Sequence, residues 1–278
     1  MALEALFNDI AAAIHEKDGK ADGIVAEDFP IRIRAIPTGI GGVWLESIEI
    51  TAPPLKTSYI VGDTFDPTGM AVYAKYSNGQ SMYVDHSNLT FDPSGPLELG
   101  VESVTVNFQW GLKVVSTPQP IHVYKKFVWW SPKMMSDTTP MPYACSASST
   151  LSTKYFVYGA FDGNPETLWH SNNSQAPWIQ FDFGVKTGVL GLSFLPRINY
   201  SDQMWATGTI QGSDDGEAWT DILRASDLPT PQQGVYREHV FENVANYRYY
   251  RVAGMKSRYS AGNFYVCIAD IKFYLVEP

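Results

Sequence analysis

The sequence predicts a mainly β protein: two successive β-sandwiches behind a short helical N-terminal segment. Three observations predict it. Hydrophobic residues alternate with period two in short runs from Trp44 to the C-terminus. Turn signals rich in Gly, Pro, Asn and Asp separate those runs. Only residues 1–40 carry a helical period instead.

The helical segment comes first. Leu3, Leu6, Phe7, Ile10 and Ile14 recur at i, i+3, i+4, i+7 and i+11, and Gly19 is a stop signal. A second helix start stands at Asp28 with Pro30 in the next turn, although Ile31-Arg32-Ile33-Arg34 alternates as a strand would. Helices this short are marginal alone, so the segment needs a partner: the rest of the chain, a second copy or another protein. Pro37 to Gly42 reads as a linker.

Residues 44–125 form the first predicted sandwich. Leu45, Ile48 and Ile50 lead to Pro53-Pro54. Met70, Val72, Ala74 and Tyr76 alternate into Asn78-Gly79, and Met82 and Val84 alternate away. Asn-Gly between such runs predicts a hairpin with a type I′ turn. Val104, Val106 and Phe108, then Val114-Val115 and Ile121 to Val123, supply further strands. The aromatic run Lys125 to Pro132 reads as a second junction, although its aromatics suggest that it packs against something, and residues 137–278 read as a second sandwich. There Ile179, Phe181 and Phe183 alternate, as do Leu190, Leu192 and Phe194. Ser213-Asp214-Asp215-Gly216 predicts a tight hairpin. In the last strand Cys267, Ala269, Ile271, Phe273 and Leu275 form one apolar face, with Asp270, Lys272 and Tyr274 on the other.

Composition bounds the function. With 278 residues, the chain has room for about two domains. At 45% hydrophobic and 14% aromatic, it is not a disordered chain. Twenty basic residues against 29 acidic ones leave a net charge of −9, which argues against nucleic acid or an anionic membrane as the partner. No stretch approaches the ~18–20 apolar residues of a membrane span. The first residues, Met1 to Leu6, carry no basic region, and Glu4 and Asp9 interrupt the apolar stretch, so synthesis and folding are expected in a cytoplasm. Cys145 and Cys267 match no zinc or redox spacing, and a cytosolic site of synthesis favours free thiols. A bridge between them requires the first and last strands of the second sandwich to lie side by side. No Gly-x-Ser-x-Gly, His-Glu-x-x-His, Walker or Gly-x-Gly-x-x-Gly motif is present, and Asp214, Asp215 and Glu217 are best read as turn residues, so the chain is expected not to be an enzyme.

Two constellations in the second sandwich carry chemistry. Asp162-Gly163-Asn164 followed by Thr167 is an oxygen-rich loop suited to a hard cation; the plain alternative is an Asx-turn with Gly163 at positive φ. His170 can donate or accept a hydrogen bond, and Arg197 can donate in a planar fork. Their plain alternatives are a satisfied loop histidine and a surface ion pair.

Leu45 to Ile50, Tyr59 to Asp66, Gly69-Met70 and the Tyr76 to Gly79 turn together resemble the bacterial immunoglobulin-like domains, which implies a spacer. Residues 143–278 resemble the discoidin superfamily, the galactose-binding-like jelly roll that includes coagulation-factor C-type domains and family 32 carbohydrate-binding modules. The match is carried by Ala147-Ser148-Ser149, Ala160 to Ser171, Trp178 to Gly184, Leu195-Pro196-Arg197, Gly212 to Trp219, Tyr249 to Val252 and Ile268 to Ile271. This resemblance implies a structural calcium ion held by Asp162, Asn164 and Thr167 and closed by Asp270, where the family more usually has glutamate. It also implies a galactose-type glycan site of His170 and Arg197, with Asp202 near the family's asparagine position and Phe264 (or Tyr265) as the aromatic. Tyr200 and Trp205 would extend the platform.

Finally, Asp9 to Lys17, Lys20 to Asp22 and Ala26 to Pro30 resemble leader segments of phage structural proteins. Together the resemblances imply a virion appendage assembled in the host cytoplasm and binding a host cell-surface glycan. Residues 1–40 would contact other virion proteins or form a homo-oligomer. The alternatives are a structural or decoration virion protein making protein contacts, and a bacterial glycan-binding module.

Overall fold

The computed structural model describes residues 43–173, 176–260 and 263–277. The predicted helices and linker of residues 1–42 lie outside them. No helix among the described residues is long and apolar enough to cross a membrane. The chain divides after Val123 into two compact units.

The first unit contains β1 (Leu45–Ala52), β2 (Ser58–Ile60), β3 (Ala71–Tyr76), β4 (Ser81–Val84), β5 (Leu89–Asp92), β6 (Ser103–Trp110), β7 (Lys113–Pro120) and β8 (His122–Tyr124). They form sheets β1-β3-β4 and β5-β6-β7 and the pair β2-β8. A register shift between Leu45 and Ser47 lets both Leu45 and Ile48 face inward although they are three apart. Val72, Ala74 and Tyr76 pack there against Val106 and Phe108 of the other sheet. The β3–β4 hairpin forms where Asn-Gly predicted it, with a different turn. Gly79 N–H donates to Tyr76 O at 2.9 Å, and Gly79 has φ +81 while Asn78 does not have positive φ. This is a type I turn closed by a left-handed glycine rather than type I′.

The second unit contains β9 (Phe127–Trp130), β10 (Ala144–Ala147), β11 (Trp169–His170), β12 (Ile179–Leu195), β13 (Trp205–Ser213), β14 (Thr220–Ala225), β15 (Arg237–Ser257), β16 (Cys267–Ile268) and β17 (Asp270–Val276). A seven-stranded antiparallel sheet runs β14-β13-β15-β12-β17-β9, with β10 also on β12, and β11 pairs with β16. The core is aromatic: Phe181 and Phe183 each pack on Phe273, at ring centroids 5.2 and 4.9 Å.

Two expectations are corrected here. The run at Lys125 to Pro132 is no junction, and the second unit starts well before residue 137. Its residues form β9, registered Trp129↔Tyr274, and Trp130 packs 5.8 Å from Phe183. The last strand is interrupted: β16 pairs with β11, Ala269 N–H bonds Leu195 O at 2.9 Å, and β17 then joins β12. Because of that switch Asp270 is buried rather than facing solvent. Cys145 on β10 and Cys267 on β16 have different partner strands, and both are buried free thiols.

Candidate functional site

Where β11 and β16 meet the end of β12, a cleft of about 370 Å³ opens, lined by His170, Arg197, Tyr200, Gln203, Tyr259, Tyr265 and Leu151. Strand pairing sets its floor. His170 ends β11 opposite Cys267, so its ring enters from a two-residue strand that cannot rotate freely. Its Nδ1 lies 2.7 Å from Ser171 O, so Nδ1 carries the hydrogen and Nε2 is left as the acceptor in the neutral ring. Burial, and the Arg197 charge beside it, push the His170 pKa down, while its contacts with Ser171 and Gln203 pull it the other way. The ring is wedged between Tyr155 and Tyr265, at 5.3 and 5.8 Å.

Arg197 follows Pro196 at the end of β12. Its guanidinium lies 4.8 Å from the Tyr200 ring and 5.9 Å from that of Tyr155. Nη1 is 3.5 Å from Gln203 Oε1. Burial pushes the Cys267 thiol pKa up to about 12, and the Arg197 charge beside it pulls the other way. Gln203 is held by the 3-10 turn Ser201–Gln203 and is almost fully buried.

Of the residues that the sequence singled out, His170, Arg197 and Tyr200 converge on this cleft. Phe264 does not line it: its ring lies near the Lys256 ammonium, and its carbonyl accepts from Ser171 Oγ at 2.7 Å. The neighbouring Tyr265 supplies the aromatic face. Asp202 does not line the cleft either; its carbonyl accepts from Arg258 N–H. Trp205 extends no platform. As the first residue of β13 it points inward, fully buried, and stacks on His239 at 4.8 Å. Gln203 and Tyr259 were not singled out. The only trace of Gln203 in the sequence is its place beside Asp202.

The oxygen-rich loop adopts the Asx-turn: Asn164 N–H donates to Asp162 Oδ1 at 2.8 Å, and Gly163 has φ +72. Thr167 Oγ1 donates to Asp162 Oδ2 at 2.7 Å, and Asn164 Oδ1 accepts from Glu166 N–H. Asp270 does reach this neighbourhood. Its Oδ2 accepts from Tyr236 O–H at 2.6 Å, while its buried Oδ1 has no partner among the described residues. Burial raises the Asp270 pKa, and the nearby Asp162 charge adds to the rise. The orphaned buried oxygen of Asp270 is the kind of donor a hard cation takes, and the Asp162 charge lies near enough to be felt there. No group of three His, Cys, Asp or Glu that could hold a metal ion is found among the described residues.

The carboxylates at the β13–β14 hairpin are turn residues. Asp215 Oδ1 accepts from Glu217 N–H and Ala218 N–H, both at 2.8 Å, and Asp214 pairs with Lys186.

Residues 144–268 match the F5/8 type C domain and residues 52–117 the bacterial Ig-like domain (group 3). The chain thus carries a bacterial immunoglobulin-like domain followed by a discoidin-type domain. Pectate lyase L of Thermoclostridium stercorarium is 35% identical over 86 residues, 30% of this chain and only 7% of that protein. Among solved structures, CpGH89CBM32-5 from Clostridium perfringens, in complex with GalNAc-β-1,3-galactose, is 16% identical, covering 48% of this chain and 94% of that one, with a TM-score of 0.42. The family 32 module of C. perfringens NanJ, in complex with galactose, is 18% identical, covering 48% and 93%, with a TM-score of 0.40.

Proposed function

We propose that the second unit binds host-surface carbohydrate of galactose type in the His170–Arg197 cleft, without catalysis. One observation carries this reading: a donor fork, an imidazole acceptor and a buried amide converge with the rings of Tyr200 and Tyr265 in one open cleft. The amide and fork select hydroxyl geometry, and the rings cover the apolar face of a sugar. Asp162, Thr167 and Asp270 would hold calcium, which would neutralise the two carboxylates and stiffen the loop ahead of β11.

The immunoglobulin-like unit would act as a spacer. We further propose a virion appendage on the tail, baseplate or capsid surface, docked or oligomerised through residues 1–40. The resemblance of residues 9–30 to phage leader segments supports this part. Linked copies would convert a shallow site into avid attachment. Deleting residues 1–40 is expected to abolish virion incorporation while the remainder stays folded; unchanged incorporation would refute docking.

The glycan reading is tested on an array with the full chain, multimerised, in calcium and in chelator. Calcium-dependent binding to galactose-type glycans, lost in Arg197→Ala, is expected. A folded protein binding no glycan in either buffer would sink the reading and favour protein contacts.

A further inference from the structure

We infer that the first unit carries a small-ligand site of its own, a pocket at one end of its sandwich that takes a neutral sugar ring. The inference goes beyond spacing as the role of this unit and does not depend on the cleft of the second.

The pocket opens where the β3–β4 hairpin meets the end of β6. It measures about 480 Å³ and is lined by Tyr76, Asn78, Gln80, Ser81, Met82 and Trp110. That size lies within the ~300–1,000 Å³ of small-ligand sites. Its wall is apolar: the rings of Tyr76 and Trp110 meet edge to face at 5.6 Å, and Met82 on the edge strand β4 is exposed beside them. Its rim is polar and held by the turn. Asn78 Oδ1 accepts from Gln80 N–H at 3.1 Å, and Asn78 Nδ2 donates to Gln80 Oε1 at 2.9 Å. The Gln80 carboxamide is thereby fixed, with its Nε2 free to donate to a ligand. Tyr76 adds a hydroxyl that is buried and has no partner among the described residues. Such a hydroxyl costs free energy, which a ligand group reaching it would recover.

The lining selects the ligand. No Asp, Glu, Lys, Arg or His among the described residues lines the pocket, so nothing there would fix an ion. An aliphatic chain would leave the carboxamide and the hydroxyls of Ser81 and Tyr76 unmatched. A sugar ring matches both halves: its C–H face lies on an aromatic ring, and its hydroxyls donate and accept toward the rim. A second groove of this unit, bordered by Glu49, Lys75, Pro118 and Pro120, holds an ion pair and no aromatic ring, and lacks this combination.

The test is saturation-transfer NMR and calorimetric titration of the full chain carrying Arg197→Ala, which removes the donor fork of the other cleft. The ligands are lactose, cellobiose, maltose and N,N′-diacetylchitobiose, and at least one is expected to bind at millimolar concentration. Gln80→Ala changes an exposed residue and should weaken that binding about fivefold, the worth of one hydrogen bond. Tyr76→Phe should weaken it too while leaving Tm unchanged or higher, because the hydroxyl it deletes has no protein partner. A merely structural role would not separate affinity from stability in this way. Binding of none of the four sugars would overturn the pocket and leave the reading of the cleft standing. Binding that ignores both Gln80→Ala and Tyr76→Phe would overturn it as well, by placing the sugar elsewhere. Binding by the native chain that vanishes in Arg197→Ala would support the cleft and overturn this site.

Discussion

The two sandwiches share one alternation pattern and bury different chemistry. Among the described residues, the interior of the first is apolar apart from Ser58 and Gln119. The second buries His170, Ser171, Ser193, Gln203, Ser213, His239, Ser257 and Asp270. Each buried polar group costs free energy unless it finds a partner, so the second unit gives up stability to hold polar groups in place. Two of them, His170 and Gln203, line the cleft, and Asp270 reaches the Asp162 loop. The difference teaches where to look: hydrophobic alternation locates the fold, and the polar exceptions to it locate the chemistry.

The largest expected effect tests whether the units are separate. Phe273 sits at the centre of the aromatic cluster, touching Phe161, Phe181, Phe183 and Tyr250. Phe273→Ala should cost the second unit about 3–5 kcal/mol. Differential scanning calorimetry should then show one transition moved down and the immunoglobulin-like transition unchanged. If both moved together, the comparison of two independent interiors would fail.

Next comes a buried polar group that takes no part in the cleft. His239 stacks on Trp205, its Nε2 has no partner among the described residues, and burial pushes its pKa down to about 4 from 6.5. The unfolded chain therefore binds a proton that the folded chain refuses between those values. Stability is intact above pH 6.5 and falls as pH drops toward 4, by about 3 kcal/mol at the bottom of that window. Urea midpoints at pH 7 and pH 4.5 should differ markedly in the native chain and much less in His239→Gln. Equal acid sensitivity in the two would assign the loss to carboxylates instead.

Asp270 has the opposite sign. Its folded pKa is raised, so without a cation its burial costs stability once pH rises above the ordinary carboxylate range toward the raised value. At neutral pH, calcium at about a hundred times its dissociation constant should return about 2.7 kcal/mol. Asp270→Asn should be more stable than the native chain in chelator and show no rise in Tm on adding calcium. A native chain whose Tm ignores calcium would mean that Tyr236 alone satisfies this carboxyl.

How much of this was legible in the sequence follows the same division. The strands of both units could be read because alternation is local: Val72, Ala74 and Tyr76 needed no knowledge of their partners. The strand at Phe127 to Trp130 could not, because its partner is the C-terminal strand, registered Trp129↔Tyr274. His170, Arg197 and Tyr200 were legible as candidates through the motif order around them. Trp205 was not, since an aromatic at a strand start looks the same in sequence whether it faces in or out. Phe264 and Tyr265 stand side by side in the loop before β16, where no strand period says which one faces the cleft, so the choice between them needed the backbone. Asp270 was expected outside on strict alternation and is inside because the chain changes partner at Ala269.

The smallest effects compare one glycine in each unit. Gly79 and Gly163 have nearly the same backbone, φ +81 and +72. An added Cβ on Gly79 meets nothing within 4 Å, whereas on Gly163 it runs into the Lys133 ammonium and lies 2.8 Å from Ser131 Oγ. Gly79→Ala should therefore cost only the left-handed backbone penalty, about 1 kcal/mol, with the hairpin retained. Gly163→Ala carries the same backbone penalty. In addition it must displace Lys133, whose flexible end can move, and the Ser131 hydroxyl, which is buried. Its cost should exceed that of Gly79→Ala, and any rise in Tm on adding calcium should shrink in Gly163→Ala alone. Equal costs would mean that the loop ahead of β11 is no more constrained than a surface hairpin, and the contrast between the units would then rest on their interiors and not on their loops.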